Sequence, residues 1–184
     1  MKKVYILLAV GGMVGVIVAI LIFKPTATHQ QVQPVSTAAT TTPGIPARTI
    51  PPGMREFKSD AYKFSLLYPE ELHVVLRDEG KGASTIIFQN LQKKEEGFQI
   101  FVVPYAEPQI SDARFKKDIP SGVRTDLRAV MIGGESGAAF YSYDASLGDT
   151  AEVWLLHRGY LFEVTTLRPL GGWVSTILQH WEFI

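Results

Sequence analysis

The amino-acid sequence predicts an α+β domain, an antiparallel sheet covered by helices, carried behind one transmembrane helix and a disordered linker. Three observations lead there. An uncharged apolar run opens the chain, a Thr/Pro-rich stretch follows it, and from Met54 onward short β-rich runs alternate with turn residues. The predicted organisation is a cytoplasmic tail over 1–3, an anchor over 4–23, a flexible linker over 24–53 and an extracytoplasmic domain over 54–184.

Val4–Phe23 (VYILLAVGGMVGVIVAILIF) is a run of 20 residues without a charge. At about 1.5 Å per residue, a helix of that length spans roughly 30 Å, the thickness of the hydrocarbon core. The rival reading is a cleaved signal peptide, whose apolar region is normally ~7–15 residues and ends on small residues. Here bulky Ile20-Leu21-Ile22-Phe23 and then Lys24-Pro25 make a poor cleavage site. Lys2 and Lys3 precede the run and only Lys24 closely follows it, so the positive-inside rule keeps the N-terminus cytoplasmic. Gly11, Gly15 and Ala19 share one face of this helix. That spacing lets helices approach closely, although small residues are common in spanning helices generally.

Residues 24–53 contain six Pro and seven Thr and show no apolar period. Such a segment buries too little to offset its ordering entropy and reads as a spacer. Charge is distributed unevenly. All 18 acidic residues lie after position 54, where 14 basic residues leave the domain at a net −4. A mildly acidic domain lacks the basic footprint of a nucleic-acid binder. The chain has no cysteine, which excludes disulfides, thiolate metal sites, cysteine nucleophiles and a lipid-bearing cysteine.

Within the domain, Lys63–Tyr68 reads as a strand ending at Pro69, followed by Leu72–Arg77 and a turn at Glu79-Gly80-Lys81-Gly82. Ser84–Gln89 and Phe98–Val103 are β-rich, with the charged turn Lys93-Lys94-Glu95-Glu96-Gly97 between them. Ser111 is a good N-cap, Asp112 suits a positive helix end, and Ile110 with Phe115 forms a hydrophobic staple. Pro120 bounds that helix. Leu127–Ile132 turns at Gly133-Gly134 into Glu135–Tyr143, and Thr150–His157 turns at Arg158-Gly159 into Tyr160–Thr166. Two-residue loops with Gly are hairpin signals, because Gly accepts the positive φ of primed turns. Leu170, Trp173, Val174, Ile177, Leu178 and Trp181 form one apolar stripe at helical period, predicting a closing helix.

This order of elements resembles the Mog1/PsbP-like α/β/α sandwich over residues 57–184. Three matches carry the resemblance. They are FSLLYPEE (Phe64 to Glu71), Gly133-Gly134 before an aromatic strand ending at Tyr143, and a closing strand and helix (Gly159–Thr166, then Trp173 to Phe183). The resemblance implies an auxiliary or assembly factor of a membrane or nuclear complex, with no shared catalytic residues. The anchor departs from the soluble, cleaved members, and no metal or chloride site is carried over.

No motif names a reaction. Gly134-Glu135-Ser136-Gly137 lacks the second flanking glycine of a nucleophile elbow, since position 138 is Ala. His29, His73, His157 and His180 stand at no metal-ligand spacing. A catalytic histidine with Ser84 or Ser136 would have to be assembled by the fold. Glu70-Glu71 and Asp78-Glu79 read as solvated loop acids, and Gly80-Lys81-Gly82 has no helix behind it to cradle a phosphate. Tyr141, Tyr143, Trp154, Tyr160, Phe162 and Trp173 crowd the last third of the chain. Core filling accounts for most of them, and apolar neighbours on both sides of Trp154 suit a strand covered on both faces. The leading expectation is a membrane-anchored extracytoplasmic module that binds a protein partner, with no catalytic, cofactor or metal site. The rivals are a cell-envelope hydrolase whose site is assembled only in the fold, and a ligand sensor that signals through a partner.

Overall fold

The computed structural model describes residues 48–184. The expected anchor at Val4–Phe23 lies outside the described residues, as does most of the expected linker. Among the described residues no helix is long and apolar enough to cross a membrane.

Ten strands and two helices follow in order: β1 (Met54–Ser59), β2 (Phe64–Pro69), β3 (Leu72–Gly80), β4 (Ala83–Asn90), β5 (Gly97–Pro104), α1 (Asp112–Asp118), β6 (Thr125–Ile132), β7 (Glu135–Asp144), β8 (Gly148–His157), β9 (Tyr160–Leu167), α2 (Gly171–Leu178) and β10 (Trp181–Phe183). They form a three-stranded sheet, β1-β2-β10, and a seven-stranded sheet, β3-β4-β5-β9-β8-β7-β6. Every pairing is antiparallel. The result is a sheet-rich α+β fold with few helices.

Local sequence explains the joints. Gly133 (φ 57°) and Gly134 (φ 87°) supply the two positive φ angles of a primed turn between β6 and β7. At the β8–β9 turn Arg158 (φ 46°) takes the first of those positions and Gly159 (φ 80°) the second. The Ser111 hydroxyl caps α1 by accepting from the Arg114 N–H at 3.2 Å. Ile110 and Phe115, the expected staple pair, both pack against the same small core.

Three expectations are corrected. Met54–Ser59, which carried no strand signal of its own, pairs with β2 along its whole length. The expected single sheet is therefore two, and the smaller sheet rather than helices covers much of the larger one. The closing helix stops at Leu178 instead of running through Trp181. Trp181 begins β10, opposite Leu66, and its ring stacks on Phe64 at 4.3 Å and 10°. Stacking on β2 and a backbone ladder outweigh one further helical turn. In addition Arg48, placed by sequence in the linker, pairs with Glu182 at 3.1 Å and reaches the Ser65 hydroxyl on β2.

Two apolar clusters lie on opposite faces of the large sheet. The larger joins Phe64, Leu66, Ile86, Phe88, Ile100, Phe162 and Trp181 to Val174, Ile177 and Leu178 of α2, between the two sheets. The smaller gathers Tyr105, Ile119, Phe140, Trp154 and Leu161 under α1. Trp154 and its neighbour Leu155 are each at most 1% exposed, so β8 is covered on both faces as its sequence predicts.

The two closing tryptophans are therefore unequal. Trp181 is 3% exposed, whereas Trp173 is half-buried and meets only the edge of Phe98 among aromatic rings. Trp181→Ala is expected to cost about 3–5 kcal/mol, the usual range for an aromatic removed from a core. Trp173→Ala should cost clearly less. Urea midpoints of the two variants check the order, and equal midpoints would contradict it.

Candidate functional site

The residues singled out by sequence do not converge. His73 is exposed on β3, and the four acids Glu70, Glu71, Asp78 and Glu79 are exposed as well. His180 is half-buried between α2 and β10. Ser84 accepts a hydrogen bond from the Tyr62 hydroxyl at 2.7 Å. Ser136 is exposed and, by strand alternation, lies on the opposite face of β7 from Glu135. His29 lies outside the described residues.

One histidine is held in place. His157 Nδ1 lies 2.9 Å from Glu135 Oε1, across the β7–β8 pair. A carboxylate only accepts, so Nδ1 donates in this contact. The ring stacks on Phe183 at 3.7 Å, and Nε2 is buried with no partner among the described residues. A base needs a nucleophile within hydrogen-bond reach. Ser84 is three strand spacings away in the order β4-β5-β9-β8, about 14 Å at ~4.8 Å per strand. Neither serine forms a dyad with His157.

The buried ionisable groups are ones that sequence reading passed over. On the face under α1, Arg114 bridges Glu163 of β9 at 3.1 Å and pairs with Asp118 one helical turn along. One cation thus faces two carboxyls. Burial, then the neighbouring Asp118, holds Glu163 well above the ordinary carboxyl range. Glu152 of β8 has no cation bonded to it; it accepts from the hydroxyls of Thr150 and Thr165, both at 2.7 Å, and from Trp154 Nε1. Burial raises its pKa against those three donors. The missed signal was alternation: strands dry on both faces must bury the Glu in AEVWLLH and YLFEVTT.

A cleft of about 130 Å³ opens where α2 begins, between Gly171, Gly172 and Ser175 and the strand residues Tyr141, Val153 and Val164. Arg168 stacks over the Tyr141 ring at 4.4 Å, and Arg128 approaches the same ring at 5.9 Å. Arg128 lines the cleft together with Glu152, Thr166 and Ser175. Among the described residues no group of three His, Asp or Glu side chains is placed to hold a metal.

No family model matches the chain, and no curated relative does. Solved structures do. The solution structure of cyanobacterial PsbP (CyanoP) from Synechocystis sp. PCC 6803 aligns with a TM-score of 0.54 at 14% identity, covering 80% of this chain and 98% of that one. A crystal structure from Bacteroides thetaiotaomicron VPI-5482 aligns with a TM-score of 0.50 at 16% identity over 72% of this chain. The matched region spans about half (49%) of that second protein. The fold is PsbP-like, as the sequence resemblance implies.

A carboxyl whose pKa is raised in the fold holds its proton more tightly there than in the unfolded chain. Its contribution is therefore fully present below the ordinary glutamate value of 4.5 and is lost as pH rises through the folded value. In Glu163→Gln, the amide keeps an acceptor for Arg114 and a donor for Asp118 without titrating. The variant should gain stability over the parent as pH rises from about 5 to 8, read as a growing difference in urea midpoint. Arg114→Met leaves both acids without their cation and should cost about 3–5 kcal/mol near neutrality. A pH-independent difference for the Gln variant would contradict this account of Glu163.

Proposed function

We propose that this chain is a single-pass, membrane-anchored accessory module whose PsbP-like domain works outside the cytoplasm by binding a protein partner. The observation that carries the reading is the PsbP-like fold over most of the chain, taken with the auxiliary or assembly role that the family resemblance implies. The uncharged Val4–Phe23 run supports the tether, and Lys2 and Lys3 support the orientation. The chemistry of the domain fits a binding role. Its most perturbed acids, Glu152 and Glu163, are engaged with Thr, Trp and Arg side chains inside the fold.

Two measurements test it. Alkaline carbonate extraction should leave the full chain in the membrane pellet; release into the supernatant, or a mature N-terminus near residue 25, refutes the anchor. A strain lacking the gene should be complemented by Ala substitutions at His73, His157, His180, Ser84 or Ser136 wherever the variant is folded. It should not be complemented by a form without residues 4–23, because tethering concentrates the domain near its partner. A folded, membrane-bound variant that is null at one of these Ser or His positions would give the hydrolase reading the lead.

A further inference from the structure

The chain leaves β5 at Pro104 and rejoins the large sheet at Thr125, the start of β6. In the order β5-β9-β8-β7-β6 that connection crosses three strands, and it carries α1 over the smaller apolar cluster. Its backbone is pinned at the start, where the Tyr105 N–H donates to the Gly159 carbonyl at 2.7 Å. From Ala106 to Arg124, among the described residues, backbone bonds stay within the connection itself. One side-chain hydrogen bond alone joins that stretch to a sheet among the described residues, from Arg114 Nη2 to Glu163 Oε1 at 3.1 Å. The rest of its hold is apolar: Phe115 stacks on Trp154 at 4.7 Å, and Ile110 and Ile119 join the same cluster.

That single bond belongs to an unbalanced site. Arg114 faces Glu163 of β9 and Asp118 of its own helix, and all three side chains are more than nine-tenths buried. Lys116 and Lys117 of α1 are exposed. β5 sets uncharged Phe101 opposite Glu163. β8 adds a further acid, Glu152, one pair along on the same face, where it opposes Thr165. The Tyr105 ring lies 5.8 Å from the Arg114 guanidinium, and its hydroxyl donates to the Gln109 carbonyl. With Glu163 protonated, one cation meets one carboxylate. Ionising it in place adds a second buried negative charge, which burial and then Asp118 oppose. Arg114 and Asp118 both ride on α1, so lifting that helix returns all three groups to water.

We propose that this connection is a pH-operated cover: α1 lifts off the large sheet as pH rises, while both sheets stay folded. Lifting uncovers Phe140, Trp154 and Leu161, each at most 1% exposed when the cover is down. Glu163 holds its proton more tightly when covered than when open, so opening releases it. The opening constant therefore climbs above the ordinary glutamate value of 4.5 and levels off above the covered value. One proton gives a slope of up to about tenfold per pH unit. The bonds of Glu152 to Thr150, Thr165 and Trp154 stay within β8 and β9 when α1 leaves.

Hydrogen exchange of the full-length chain in detergent micelles, read peptide by peptide, tests this. After correction for intrinsic rates, protection of residues 112–119 should fall at least about tenfold between about pH 5 and 8. Protection of β4 and β5 should hold over the same range. In Glu163→Gln the fall should vanish, since an amide does not titrate. Asp118→Asn leaves one cation facing one carboxyl, so it should shrink the fall and gives a second readout. A flat profile for 112–119 in the parent would overturn the proposal, and so would an undiminished fall in either variant. If β4 and β5 lost protection by the same factor as α1, the event would be global unfolding. That result too would overturn the cover, while leaving the membrane-anchored reading untouched.

Discussion

Strands β8 and β9 run through the middle of the large sheet with protein packed on both faces, and this double burial sets the terms for everything around them. Trp154 and Leu161 face α1, while Leu155 and Phe162 face the small sheet and α2. Neither cover is stable alone. A seven-residue helix is too short to persist in water, and a three-stranded sheet needs a partner for its apolar face. Each holds its shape because the central hairpin offers it an aromatic surface. For α1 that surface is Trp154, on which Phe115 stacks at 4.7 Å. For β10 and β2 it is Phe162, which meets both Phe64 and Trp181 edge-on.

The same burial turns two ordinary glutamates into structural constraints. On a strand with one wet face, Glu152 and Glu163 would point into solvent. Here they point into the interior, where an ionised carboxyl must be hydrogen-bonded or paired. The chain answers Glu152 with two threonine hydroxyls and an indole N–H, and Glu163 with Arg114. Because Arg114 sits on α1, the ion pair and the Phe115–Trp154 stack together tie that helix to one position on the sheet. Such pairs contribute little net stability, but they penalise any docking of the helix that leaves a charge alone.

The polar groups nearer the surface are also engaged. His157 is pinned between Glu135 and Phe183, and Arg128, which lines the cleft at the start of α2, approaches the Tyr141 ring over which Arg168 stacks.

Much of this architecture was legible in the residues. Gly133-Gly134 and Arg158-Gly159 marked their hairpins, because few other residues take two positive φ angles in succession. Ser111 and the Ile110–Phe115 pair marked α1, and apolar neighbours on both sides of Trp154 marked a strand without a wet face. All of these are local constraints, decided within a few residues. Where sequence reading failed, the deciding partner was distant. Trp181 continues the helical stripe from Leu170, and only the Phe64 ring makes it a strand residue. His157 was visible as a candidate, but Glu135 becomes its partner only once β7 pairs with β8. The Arg114–Glu163 bridge joins a helix to a strand far along the chain, and no spacing rule anticipates it. The sequence by itself determined the turns, the caps, the alternation of strands and the apolar run at the N-terminal end, since each is set by backbone stereochemistry or by continuous hydrophobicity. Tertiary structure alone decided which faces are dry, because burial belongs to the assembled layers, and with it which acids are buried and where the last helix ends.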